Sequence, residues 1–206
     1  MRKPLNVEFT TQWVTAASVS TQVEFGWASV GIPPLAIQAV ITRIEKTDEG
    51  HLIQTLEPAW SAILGALACD PNALNVLTSM QWEELVAASY DKAGFDEVTL
   101  TPRSGDRGRD VIAVKKGRYS IRILDQVKAF KAGHLVTAND VRALLGVLGS
   151  DRNATKGVVT TTSDFAPMLR VDPTIAPHVP YRLELINGRE LSAGLLALGK
   201  KLSFEV

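Results

Sequence analysis

Hydrophobic and polar residues alternate along residues 5–45 in three short stretches, NVEFTTQWV, STQVEFGWASV and QAVITRIEK, broken by Gly26, Gly31 and the Pro33–Pro34 pair. A period of two punctuated by turn residues predicts short antiparallel strands. From Leu52 the period lengthens: Leu52, Leu56, Trp60, Ile63, Leu64 and Leu67 recur at helical spacing until Asp70–Pro71 stops the run. A second helix is predicted with Ser79 as its N-cap, Trp82, Leu85, Val86 and Ser89 on one face, and Gly94 just past its end. Three strand-like runs follow, FDEVTLT, RDVIAVKKG and YSIRILDQVKAF, the last two joined through a turn at Gly117. NDVRALLGVLGS reads as a helix, KGVVTTT and PYRLELIN as strands, and GRELSAGLLALGKKL as a helix. With one more helix expected after Ser163, the order from residue 79 is α-β-β-β-α-β-α-β-α. That order predicts an α/β fold, a mixed sheet flanked by helices, and not a sandwich or a bundle.

One strand breaks its own pattern. In SIRILDQVKAF, residues 120–130, the front half alternates as a core strand should, yet Asp125, Gln126 and Lys128 follow where apolar residues are expected. Gln126 and Lys128 are two apart, so they leave the same face of a strand about 6.5–7 Å from each other. Asp125 points the opposite way. Counting outward from Gly117, Asp110 lies seven residues before and Gln126 nine after, which brings them close across a hairpin. A carboxylate, an amide oxygen and an ammonium thus converge at one end of a sheet. Those groups suit metal-assisted phosphodiester hydrolysis: Mg²⁺ takes oxygen ligands, commonly one or two carboxylates with phosphate and water. Asp110 would be the charged ligand, Gln126 a neutral ligand or an orienter of water, and Lys128 a partner for the attacking water and for charge building on phosphorus oxygens.

Composition narrows the alternatives. With 206 residues, 46% of them hydrophobic, the chain can bury a sizeable core. It has no apolar run of membrane-spanning length and no secretory signal at MRKPLNVEFTTQW, so a cytoplasmic protein without a membrane partner is expected. A single cysteine, Cys69, rules out an internal disulfide framework, and the three histidines lack zinc-site spacing. The net charge is zero but segregated: residues 1–75 carry four cations against seven acids, whereas nine cations face three acids between Leu100 and Leu135. A local basic excess of that size is the footprint of phosphate binding, and also of a lysine-studded strand edge.

GFDEVTLTPRSGDRGRDVIAV, IRILDQVKAF, VTANDVRALLGVL and KGVVTTTSDFAP together resemble the catalytic domain of the Mrr family of restriction endonucleases, within the PD-(D/E)xK nuclease superfamily. The likeness covers about residues 79–196. It implies a restriction-endonuclease-like fold and a Mg²⁺-dependent cut in DNA, with Mn²⁺ as a substitute ion. Gly108-Arg109-Asp110 matches the family's G-x-D, Gln126-Val127-Lys128 its Q-x-K, and Trp82-Glu83 ahead of Leu85-Val86 its acidic position on the first helix. The implied catalytic set is Asp110, Gln126, Lys128 and Glu83, and the metal set is Asp110, Gln126 and Val127. DNA contacts are expected from Arg103, Arg107, Arg109, Lys131 and His134.

Plainer roles stand beside these. Glu84 is placed as well as Glu83, and both suit a helix dipole. Asp106 shapes a turn or adds a second metal ligand. Thr161, Thr162 and Ser163 read as hydroxyl caps or as weaker phosphate contacts. SGDRG holds the G-x-x-G of KH domains, but that loop joins two helices and here a strand-like run follows. The alternative from another class is a nuclease-fold module that binds DNA or scaffolds a larger complex, its amide at position 126 too poor a ligand for turnover. The expected division is a small β-rich element over 1–50, open to a protein partner, a connecting helix and linker over 51–78, and the nuclease domain over 79–206. Cutting both strands at once calls for a homodimer.

Overall fold

The computed structural model describes residues 40–102 and 108–203. The two N-terminal stretches predicted as strands, and the positions of Arg103, Asp106 and Arg107, lie outside them.

Seven strands form one sheet in sequence order: β1 (Ile41–Thr47), β2 (Gly50–Thr55), β3 (Glu97–Leu100), β4 (Val111–Lys115), β5 (Ile121–Lys128), β6 (Lys156–Thr161) and β7 (Leu183–Ile186). Neighbours from β1 to β5 are antiparallel, and β5, β6 and β7 are parallel. The sheet is therefore mixed, and β5 is where its direction rule changes. Among the described residues four helices flank it: α1 (Glu57–Cys69), α2 (Ser79–Lys92), α3 (Ala138–Ser150) and α4 (Gly188–Ser203). Among the described residues no helix is long and apolar enough to cross a membrane.

Strand alternation sorts the core into two layers. Val98, Leu100, Val111, Ala113 and Val127 pack with Trp60 and Ile63 of α1, Trp82, Leu85 and Val86 of α2, and Leu191 and Leu195 of α4. Ile112, Leu124, Val159, Leu183 and Leu185 pack with Val141, Leu144 and Leu148 of α3. Successive residues of β4 thus serve opposite layers, as a period of two requires.

Three boundaries differ from the sequence reading. Leu52 belongs to β2, opposite Glu45 and Thr99, and the helix begins only at Glu57, with Pro58 in its first turn. Leucine at four-residue spacing satisfied both periods there, and pairing on both edges decided for strand. The cap of α2 is Thr78, one residue before Ser79: its hydroxyl accepts the Gln81 N–H while the Gln81 side chain accepts the Thr78 N–H at 2.9 Å. Between β6 and β7 the expected helix is replaced by two 3₁₀ turns, Leu169–Val171 and Ala176–His178. Pro167, Pro173, Pro177 and Pro180 leave no stretch there long enough for an α-helix with its full set of N–H donors.

The sheet runs on through residue 50 without interruption, because β2 pairs with β1 on one side and β3 on the other.

Candidate active site

The strand end at residues 125–128 meets the start of β4. Val111 pairs with Asp125, and one step further out is Asp110, whose N–H donates to the Asp125 carbonyl at 2.9 Å. Its own carbonyl accepts the Thr101 N–H at 3.0 Å, so the Asp110 backbone is tied to β3 and β5 at once. From that position its carboxylate reaches across: Oδ2 accepts the Val127 N–H at 2.7 Å.

Gln126 and Lys128 leave β5 on the α3 side. The Gln126 side chain is buried, and among the described residues its Oε1 has no hydrogen-bond partner. Beside it runs Gly108, at φ +76°, in the left-handed region that glycine adopts without strain. A Cβ there would sit 3.7 Å from Gln126 Nε2 and 3.6 Å from Val147 Cγ2, so the G-x-D loop, the amide and α3 meet closely. Lys128 Nζ lies 3.7 Å from Asp140 Oδ1 of α3. Its carbonyl accepts the Thr161 hydroxyl at 2.8 Å, and the Phe130 carbonyl accepts the Thr162 hydroxyl at 2.8 Å. These threonines thus hold the turn after β5, a use the caps-or-phosphate expectation did not include.

Asp125 leaves on the opposite face, as alternation predicted. It is 1% exposed, and one oxygen, Oδ2, accepts both the Tyr90 hydroxyl at 2.8 Å and the Thr160 hydroxyl at 2.9 Å. Burial pushes its pKa up to about 7, against the pull of those two hydrogen bonds. Tyr90 is raised well above its ordinary value, by burial first and by the neighbouring Asp125 next.

The two candidate glutamates divide. Glu84 is buried and receives the Arg43 guanidinium at 3.0 Å; burial raises its pKa while Arg43 lowers it. Both glutamates line a cleft of about 290 Å³ together with Arg43, His51, Thr101 and Pro102. Thr101 in turn donates its N–H to the Asp110 carbonyl at 3.0 Å.

Arg109 is placed inside the molecule, where the sequence suggested a DNA contact. Its guanidinium bonds Glu49 at 3.0 Å and Asp151 at 3.3 Å, and Arg122 bonds the same two carboxylates at 2.6 and 3.3 Å. Glu49 comes from the β1–β2 turn and Asp151 from the end of α3, partners too remote in sequence to be anticipated. Lys131 and His134 are exposed in the turn after β5, where the His134 ring stacks on Phe130 at 4.2 Å. Sequence reasoning also passed over Asp140, although T-x-x-D before an apolar run is a readable capping signal.

Among the described residues no three His, Cys, Asp or Glu side chains form a metal cluster. An ion here would rely on one carboxylate and neutral oxygens: Asp110, Gln126 Oε1 and the main-chain carbonyl of Val127. All three are hard donors, as Mg²⁺ prefers, and a buried amide oxygen without a partner is what such a ligand set would leave behind.

A family model for restriction endonucleases, Mrr_cat, matches residues 74–194, more than half of the chain. The chain belongs to this family. Two solved structures are similar to it. One is MspJI restriction endonuclease in complex with a 27-mer oligonucleotide: 21% identity, TM-score 0.40, covering 68% of this chain and 32% of that one. The other is the DNA modification-dependent restriction endonuclease AspBHI: 17% identity, TM-score 0.46, covering 92% of this chain and 46% of that one. The chain spans less than half the length of either. No curated protein matches. Family membership agrees with the mixed sheet.

Proposed function

We propose that this chain is a Mg²⁺-dependent DNA endonuclease that hydrolyses phosphodiester bonds in restriction of, or defence against, foreign DNA in the cytoplasm. The observation that carries this reading is the 2.7 Å hydrogen bond from the Val127 N–H to Asp110 Oδ2, which gathers the G-x-D carboxylate onto the Q-x-K strand. Asp110, Gln126 and the Val127 carbonyl would hold the ion, with Mn²⁺ able to replace Mg²⁺. When bound, a divalent ion polarises phosphate oxygens and makes its water a stronger nucleophile near neutral pH.

The protein's own groups supply the rest. Asp110 is held by its backbone on two strands and by its side chain on Val127, so it presents its charge without reorganising. Lys128, on the same face as Gln126, places an ammonium beside the reacting phosphate, where it orients the attacking water and offsets charge on the phosphorus oxygens. Glu83 assists from the cleft that it lines with Thr101, while Glu84 beside it is paired with Arg43. Lys131 and His134, with Arg103 and Arg107, would meet the DNA backbone. Catalysis is assigned to residues 79–206, to whose sheet and core β1, β2 and α1 belong, and the residues before β1 are left for a protein partner or target reading. A homodimer would place one centre on each strand.

A second reading, a DNA-binding or scaffolding module without turnover, is favoured by one observation: an amide stands where a second carboxylate would strengthen ion binding. Incubating supercoiled plasmid with purified protein, with and without Mg²⁺, beside Lys128→Ala and Asp110→Ala, separates the two. Mg²⁺-dependent nicking lost in both variants supports the enzyme. Binding that ignores Mg²⁺ and both substitutions, with intact plasmid throughout, supports the scaffold.

A further inference from the structure

Lys128 is a flexible four-carbon chain at the end of a strand, and nothing in Q-x-K says what holds its amine in place. Rotamer freedom must be given up to fix a lysine head group. The structure supplies one partner for it. Asp140, at the third position of α3, splits its two oxygens between separate tasks. Oδ2 accepts the Thr137 N–H at 2.9 Å and the Thr137 hydroxyl at 2.7 Å, closing the capping box of the helix. Oδ1 is turned to Lys128 Nζ at 3.7 Å, with the two side chains 27% and 23% exposed.

The carboxylate is therefore fixed twice before it meets the amine. Its own cap locks its rotamer, and α3 is anchored on the sheet by Val141, Leu144 and Leu148, which are 0–3% exposed. A half-buried pair between a locked carboxylate and a mobile ammonium confines the ammonium more than an exposed pair of two long chains would.

Resting on the nuclease reading above, we propose that Asp140 is a positioning residue for Lys128. It holds the ammonium on the Gln126 face, at the height where the phosphate must lie. Asp140 itself would repel a phosphate, so its place beside the site is explained by the lysine and not by DNA contact. Displacement of a reacting group by about 1 Å can cost about a hundredfold in rate, which sets the scale of the effect.

The test uses Asp140→Asn, which keeps an oxygen for Thr137 and removes the charge facing Lys128, with Thr137→Ala as the converse, removing the cap and keeping the charge. Single-turnover plasmid cleavage in Mg²⁺, DNA affinity without divalent ion, and Tm are measured for each. A readout independent of cleavage is acylation of Lys128 by an amine-reactive reagent, followed by mass spectrometry with exposed Lys131 as internal reference. Asp140→Asn is expected to slow cleavage about ten- to a hundredfold at unchanged DNA affinity and Tm, and to raise Lys128 acylation relative to Lys131 about threefold or more, by freeing a confined ammonium. Thr137→Ala, in which the main-chain N–H at position 137 still holds Oδ2, is expected to lower Tm and to slow cleavage by less than Asp140→Asn does. Wild-type cleavage and acylation in Asp140→Asn overturn the inference alone. Failure of the wild-type protein to cut, beside Lys128→Ala, overturns the nuclease reading and this inference with it.

Discussion

Asp110 and Val127 are joined through a carboxylate oxygen and a main-chain N–H 2.7 Å apart, seventeen residues distant in sequence. The aspartate is thus both a structural acceptor and the charge of the candidate site, and substitution can separate the two roles. Asp110→Asn keeps an acceptor for Val127 and loses the charge. It is expected to reduce Mg²⁺-dependent cleavage at least a hundredfold with little change in Tm. Asp110→Ala also strands the Val127 N–H, adding a loss of about 1–3 kcal/mol in stability. Chemical denaturation beside plasmid nicking checks both, and equal cleavage by wild type and Asp110→Asn would refute the assignment.

Gln126 carries a trade between stability and function. Its buried Oε1 has no partner among the described residues, so replacing the amide by an apolar side chain of similar length removes a desolvation cost. Gln126→Met is expected to be as stable as wild type or more so, by up to about 1–2 kcal/mol, and inactive. Gln126→Glu is expected to lower the Mg²⁺ concentration needed for half-maximal cleavage. Urea melts and a Mg²⁺ titration of nicking test these, and marked destabilisation by Met would show that the amide is structurally required.

Asp125 predicts a pH dependence of folding. Its folded pKa is pushed up to about 7, whereas an unfolded aspartate titrates near its ordinary value of about 3.9. Between those values the unfolded chain has lost a proton that the folded chain keeps, so stability falls as pH rises from about 4 to about 7 and levels off above. Asp125→Asn removes this component. The difference between wild-type and variant unfolding free energies, measured in urea at intervals over that window without divalent ions, should carry the slope. Parallel profiles would place the carboxyl outside this titration.

Two cations near the site should behave differently on substitution. Arg109 is bonded to Glu49 and Asp151, so Arg109→Ala leaves two half-buried carboxylates with Arg122 alone and should lower stability, by about 1–3 kcal/mol. Lys131 is exposed, so Lys131→Ala should leave Tm unchanged, weaken DNA binding and reduce the salt slope of log K by about one. Melting curves and binding isotherms at several salt concentrations distinguish them, and a Tm loss in Lys131→Ala would reverse the assignment.

What the sequence determined by itself was local and periodic. Alternation marked β1 and β3 to β7, spacing marked α1 apart from its start and α2, α3 and α4, and the misplaced polarity at Asp125, Gln126 and Lys128 marked the strand end that matters. Counting from Gly117 was enough to bring Asp110 to that end, because a hairpin converts sequence distance into register. The face of Asp125 followed from the same rule. Tertiary structure alone decided the rest. Leu52 became a strand residue because two neighbouring strands claimed its backbone. Arg109 turned inward because Glu49 of the β1–β2 turn and Asp151 at the end of α3, remote in sequence, met it there. Asp140 came to Lys128 because α3 crosses back over β5 to start a parallel strand. Charges and amides carry no period of their own, so their partners are set by where the packed elements end, and a one-dimensional pattern does not encode that.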